Sequence, residues 1–356
     1  MNLRALWYIF QSFQPPPIFI LPGLGGSIIY NKGTKETIYP PNARAFLNPN
    51  DFLHDFNVSY LEKKFVPNVP SCVGPIGDTK HIKVVPNWMI PFVKHNYFHS
   101  FLHYFQLQYP HHKIQSVPYD YRLVGNKESR ESLYRDLQKA IEYETKKENK
   151  KSILIAHSLG GLVLHDFLSR QNITWKRSYI DKIITINTPY LGSIQALAMV
   201  NGKKRLNIPV LEKIDYLSNL SAFLWLIPNP HFNKDTVLDY DTNTTIASII
   251  DLVPNTLWER IQYHFKEDFL QIGIQNNVTT HVIYSCNIPT KLSMNEEHTE
   301  ALSFGDGLIG IESLTFPKQW ENQDLLHFHP IKDYDHTKIL NSPQVFQLLM
   351  EIIRSE

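Results

Sequence analysis

Ile153-Leu154-Ile155-Ala156-His157-Ser158-Leu159-Gly160-Gly161 is a β-branched apolar run that stops at a serine between small residues and resumes as a helix-patterned segment. A serine hydroxyl protrudes from a strand-to-helix turn only if the residues two places to either side are small enough for the chain to fold beneath it. Ala156 and Gly160 occupy those places, with alanine where the usual pattern carries glycine. Leu162, Val163, Phe167 and Leu168 follow at amphipathic helical spacing. Such a helix would turn its positive end and the amide of Leu159 toward charge developing beside Ser158.

Working outward, Ile18-Phe19-Ile20-Leu21 reads as a buried strand that ends at Pro22-Gly23-Leu24-Gly25-Gly26-Ser27. Phe98, Phe101, Leu102 and Phe105 give one helical face, and a strand is expected near Lys113 to Val117. Leu133, Leu137, Ala140 and Ile141 mark the helix that leads to the serine strand. Further strands are expected at Ile183 to Ile186, His281 to Cys286 and Leu325 to Phe328, and Ser342-Pro343 opens a terminal helix. Strands alternating with helices in this order predict a mostly parallel central sheet flanked by helices. Two stretches without clear period interrupt it, at about 28–91 and 196–280, and read as a lid or membrane-contact insertion and a cap. Residues 1–16 read as an N-terminal segment ahead of a single domain over 17–356.

The bulk properties exclude several classes. At 356 residues, 43% hydrophobic, the chain can bury a large core. A net charge of +1 gives no reason to expect nucleic acid as a partner. No apolar stretch approaches the roughly 20 residues that span a bilayer, and the patch from Ala5 to Phe10 is short for a signal-peptide core. Cys72 and Cys286 make no disulfide scaffold and suit a reducing compartment, whereas sequons at Asn57, Asn172, Asn219, Asn243 and Asn277 point the other way. Location stays open between the two.

A serine nucleophile needs a base, and the base an orienting acid. In α/β-hydrolases these follow in the order Ser, Asp or Glu, His, on loops beyond late strands. Asp306, in Gly305-Asp306-Gly307, is the expected acid, with Asp333 and Asp335 as rivals. His336, between the last strand and the terminal helix, is the expected base; His327 and His329 compete but fall within or at the end of the strand. The amides of Leu24 and Leu159 are the expected oxyanion donors. His95, His99 and His103 recur every four residues on a helix, where a solvated face is the simpler reading, since no Cys or carboxylate completes a metal site. Lys203-Lys204-Arg205 is either a solvated turn or a contact for anionic headgroups. No metal or cofactor is called for.

These segments, in order, resemble the lecithin:cholesterol acyltransferase family, which includes lysosomal phospholipase A2 and the phospholipid:diacylglycerol acyltransferases. The matching pieces are Ile18 to Ser27, Val117-Pro118-Tyr119-Asp120-Tyr121-Arg122-Leu123, Ile155 to Gly161, Asn187 to Ser193, Gly305-Asp306-Gly307 and His336. The Pro-Tyr-Asp-aromatic-Arg-Leu stretch is the distinctive one, and the likeness covers most of the chain from about Pro17. It implies the α/β-hydrolase fold, Ser158, Asp306 and His336 as catalytic triad, Leu24 and Leu159 as oxyanion amides, and structural roles for Asp120 and Arg122. It implies a lipid O-acyltransferase or phospholipase acting on a glycerophospholipid or neutral glycerolipid at a lipid surface, with an alcohol or water as acceptor. A catalytically inert lipid-binding protein and a soluble-ester carboxylesterase are the competing expectations. Cys72 and Cys286 fall near half-cystines of two different family bridges whose partners are absent, so both are expected to be free thiols and, with the family's lid bridge missing, the 28–91 insertion to be looser.

Overall fold

The structure, a computed structural model, describes residues 14–41, 47–82, 98–200, 219–228, 238–239, 244–245, 255–257, 259–260, 263, 273, 275–291 and 302–355. Residues 1–13, His95, Lys203, Lys204, Arg205, Asn243 and most of the 196–280 stretch lie outside them.

Six strands build the central sheet: β1 (Ile18–Leu21), β2 (Gln115–Ser116), β3 (Ser152–His157), β4 (Ile180–Ile186), β5 (Thr279–Ser285) and β6 (Leu326–Ile331). They lie in the order β6-β5-β4-β3-β1-β2, and every pairing is parallel. Continuous apolar runs suit such strands because helices cover both faces of a parallel sheet. Alternate residues face opposite ways, so Phe19, Leu21, Leu154 and Ala156 enter one core layer, and Ile18, Ile20, Ile153 and Ile155 the other. On the first side pack α2 (Lys127–Glu148) and α3 (Leu159–Ser169); on the second, α1 (His99–Gln108) and α4 (Pro343–Arg354). Ser342 caps α4 by accepting from Val345 N–H at 3.3 Å, with Pro343 in the first turn, as the sequence signal requires. This is the α/β-hydrolase fold.

Register brings the chemistry together. Leu21 lies opposite Ala156, His157 opposite Ile186, Ile186 opposite Ile283, and Ser285 opposite Ile331. The strands therefore end nearly level, and the loops starting at Pro22, Ser158, Asn187, Cys286 and Lys332 leave from one edge. In open parallel sheets that edge is where ligands bind.

The stretch at 28–91 differs from expectation. Its described part holds a three-stranded antiparallel sheet (Ile29–Asn31, Thr37–Tyr39, Ser71–Val73), a helix over Pro49–Phe56 and a hairpin of Val58–Leu61 with Lys64–Pro67. Strands of three or four residues are too short to show an alternating period, so the pattern escaped the sequence.

Nor is this part loosely attached, although Cys72 and Cys286 are both free and half-buried. Arg122, completely buried, donates from Nη1 to Phe56 O at 2.7 Å, and from Nε and Nη2 to the two carboxylate oxygens of Asp120 at 3.0 and 2.8 Å. Asp120 accepts in turn from Ser71 Oγ at 2.8 Å, while Asn126 exchanges two hydrogen bonds with the backbone of Phe65. On its far side, Arg122 O accepts from Ser221 N–H and Oγ–H. Arg122 thus joins the insertion and the Pro-Tyr-Asp segment through its guanidinium and the Ser221 turn through its carbonyl. Asp120 and Arg122 are structural, and a polar clamp holds the insertion without a disulfide. Because removing one partner strands the other charge out of water, Arg122→Met should destabilise the fold by about 3–5 kcal/mol in urea denaturation; a loss below about 1 kcal/mol would contradict the clamp.

Candidate active site

Ser158 stands between β3 and α3 at φ 54° and ψ −130°. A non-glycine residue in that region carries strain of about 1–3 kcal/mol, so its surroundings must impose it. Ser158 N–H donates to Ile186 O at 2.9 Å, and Ser158 O accepts from Gly161 N–H at 2.9 Å, which fixes the turn from both sides. Gly160 is required here for space: a Cβ would come within 2.6 Å of Leu21 O and 2.5 Å of Pro22 O. Ala156 is harmless by contrast, since its methyl lies fully buried in the core beside Leu21.

The contact at Gly160 seats the Pro22–Ser27 turn against the start of α3. Gly26 N–H donates to Gly23 O at 3.0 Å and Gly25 takes φ 71°, a tight turn in which the amide of Leu24 makes no turn hydrogen bond. Leu159 is the first residue of α3, so its amide has no acceptor within the helix. Tyr119 braces the turn: its hydroxyl donates to Pro22 O at 2.7 Å and its N–H to Ser27 Oγ at 3.1 Å. In the sequence Tyr119 stands out only as part of the Pro-Tyr-Asp motif, with no local signal for this role.

Ser158, His336 and Asp306 meet across the strand ends. His336 Nε2 lies 2.8 Å from Ser158 Oγ, and its Nδ1 lies 2.5 Å from Asp306 Oδ2. Asp306 is fully buried, and its Oδ1 accepts from Leu308 N–H at 2.9 Å and Ile309 N–H at 2.7 Å. A carboxylate can only accept, so the His336 hydrogen sits on Nδ1 and Nε2 faces the serine hydroxyl as an acceptor.

The rivals go elsewhere. Asp333 exchanges two 2.8 Å hydrogen bonds with Asn287, and Asp335 accepts from Lys338 N–H at 2.8 Å and pairs with its ammonium at 2.7 Å; both shape the loop. His327 and His329 lie in β6 beside His281, whose Nδ1 is 3.0 Å from His329 Nε2. Burial, followed by the neighbouring His327 and His329, pushes the His281 pKa down to about 3, so His281 is a neutral part of the sheet. His99 and His103 are exposed and stack at 6.3 Å. Among the described residues no group of three His, Cys, Asp or Glu could hold a metal.

Asn187 is a second residue that sequence reasoning left without a task. It is fully buried, its Oδ1 accepts from Ser285 N–H at 2.8 Å, and its Nδ2 donates to Ser285 Oγ at 3.2 Å, which locks the ends of β4 and β5 together. Its place at the head of the Asn187–Ser193 stretch was the available signal. For Gly160 the consequence can be measured: Gly160→Ala, which in an ordinary helix would stabilise, should here destabilise by about 1–3 kcal/mol because the methyl meets backbone that cannot move aside. Unchanged thermal unfolding would refute that contact.

A sequence profile described as lecithin:cholesterol acyltransferase matches residues 93–296. Phosphatidylcholine-sterol acyltransferase of Mus musculus is 25% identical over 263 residues, covering 67% of this chain and 58% of its own. Lysosomal phospholipase A and acyltransferase of Rattus norvegicus is 21% identical over 260 residues, covering 68% and 62%, and the Papio anubis phosphatidylcholine-sterol acyltransferase is 34% identical over 260 residues, covering 67% and 58%. The chain thus spans 58–62% of the length of these relatives. A chain in the Tle4-Tli4 complex shares the fold, with a TM-score of 0.56 at 12% identity over 96% of this chain and 99% of that one. With the profile lying over more than half of its length, the chain belongs to the lecithin:cholesterol acyltransferase family.

Proposed function

We propose that the protein is a lipid O-acyltransferase or phospholipase A-type acyl hydrolase, with Ser158 as nucleophile, His336 as general base and acid, and Asp306 as the orienting carboxylate. The observation that carries this reading is the unbroken chain of contacts from Asp306 Oδ2 through both nitrogens of His336 to Ser158 Oγ. The serine proton passes to His336 Nε2 as Oγ attacks the acyl carbonyl carbon of a glycerolipid. The carbonyl oxygen, now an anion, is stabilised by the amides of Leu24 and Leu159, each contributing about 3 kcal/mol to the transition state. His336 then returns the proton to the departing glyceride oxygen and leaves the acyl group esterified to Ser158. An acceptor alcohol or water gives its proton to His336 as it attacks the acyl carbon, and His336 returns that proton to Ser158 Oγ as the acyl–Oγ bond breaks, releasing a new ester or a fatty acid. Asp306 remains ionised throughout and stabilises the imidazolium.

The substrate class rests on the relatives, named for phosphatidylcholine-sterol acyl transfer and for phospholipase A and acyl transfer. Glycerophospholipid or neutral glycerolipid, drawn from a lipid surface to which the protein binds peripherally, is the corresponding substrate here. Leu61 and Val66 fit that reading, 57% and 40% exposed on the hairpin within the insertion. Among the described residues no helix is long and apolar enough to cross a membrane. Residues 17–356 act as one domain in this scheme, with the insertions at about 28–91 and 196–280 governing access.

Ser158→Ala should lose all labelling by a fluorophosphonate probe, while wild type incubated with mixed phospholipid vesicles releases fatty acid, or a new ester when an alcohol is added, by mass spectrometry. Undiminished labelling of Ser158→Ala would overturn the nucleophile. Wild type that neither labels nor turns over lipid would instead favour an inert lipid-binding protein, and turnover of soluble esters alone a carboxylesterase.

A further inference from the structure

His157 closes β3, is buried completely, and is the residue before the nucleophile. Its Nε2 lies 2.8 Å from the backbone oxygen of His336. That oxygen can only accept, so Nε2 carries the hydrogen. Burial, and secondarily the nearby His336, holds the His157 pKa well below the ordinary histidine range and keeps the ring neutral. Asn187 Nδ2 reaches the same oxygen at 3.4 Å, and the N–H of His336 donates to Asp306 O at 2.8 Å. The backbone of His336 is therefore gripped on both sides. Two strands, β4 and β5, separate β6 from β3, so small changes of sheet twist would accumulate between base and nucleophile. The His157 contact bypasses them.

We propose that His157 is a positioning residue: its hydrogen bond to the His336 carbonyl ties the base directly to the strand that carries the nucleophile and sets the Ser158 Oγ to His336 Nε2 distance. This rests on the catalytic roles proposed above. Because misplacement of reacting groups by an ångström can cost up to about a hundredfold, loss of this bond should slow the step in which Ser158 attacks rather than weaken lipid binding. Packing alone does not explain the residue, for a phenylalanine would fill the space against Phe98, whose ring meets His157 edge-on at 6.2 Å.

The test compares His157→Phe, which keeps an aromatic ring but has no donor, with His157→Gln, whose side-chain amide can donate from nearly the same place. Wild-type labelling by a fluorophosphonate is first mapped to Ser158 by peptide mass spectrometry, so that failure of the nucleophile assignment is seen separately. The expected result is a labelling rate about 10- to 100-fold lower for His157→Phe, with KM for lipid unchanged, and recovery of most of that loss in His157→Gln. A wild-type rate in His157→Phe, or equal losses in the two variants, would overturn the proposal. Should His157→Phe fail to fold, ¹⁵N-histidine NMR of wild type at about pH 6 decides. A neutral ring with hydrogen on Nε2 supports the assignment, and a protonated ring or hydrogen on Nδ1 contradicts it.

Discussion

The close approach of Gly160 to the carbonyl oxygens of Leu21 and Pro22 is the constraint on which the rest of the site depends. It lets α3 begin directly against the end of β1, which in turn lets Ser158 occupy its strained conformation with Leu24 and Leu159 on neighbouring backbone. Any side chain at that position would separate the turn after β1 from the serine. The strain at Ser158 persists because Ile186 O, one strand away, accepts from its amide. The turn is thus held by the sheet rather than by its own preferences.

Around that core, polar groups do what covalent links could do elsewhere. Arg122 and Asp120 join three loops through buried hydrogen bonds, Tyr119 holds the turn after β1, and Asn187 locks β4 to β5. Each of these side chains is buried or nearly so, and each satisfies carbonyl or amide groups that the loops would otherwise leave without partners. With Cys72 and Cys286 free, the described part of the 28–91 insertion is held by these buried polar contacts together with the packing of Ile29, Tyr39, Phe56 and Phe65 into the core beside the sheet. The strength of the ion pair comes from burial, since the same pair exposed to water would contribute little.

The sheet and the Ser158, His336 and Asp306 positions were legible because their signals are local or ordinal. Ile18 to Leu21 and Ile153 to Ala156 are unbroken apolar runs, and the order serine, aspartate, histidine follows strand order. The short antiparallel strands near Ile29, Thr37 and Ser71 were not legible, because three residues carry no period and their pairing depends on partners up to 44 positions apart. The clamp at Arg122 was visible only as a motif, since its acceptors Phe56 O and Asp55 O are backbone atoms without a sequence signature. The same holds for His157, whose partner is the carbonyl of a residue 179 positions away.

In the proposed reaction Ser158 carries the acyl group between donor and acceptor. Acid quenching of wild-type protein during turnover of a long-chain 4-nitrophenyl ester, followed by peptide mass mapping, addresses it directly. The predicted result is a peptide containing Ser158 that is heavier by the acyl group, and that loses the added mass when water or an alcohol is given time to act before the quench. Nitrophenol release with the acyl group on another residue, or with Ser158 unmodified at every quench time, would contradict it.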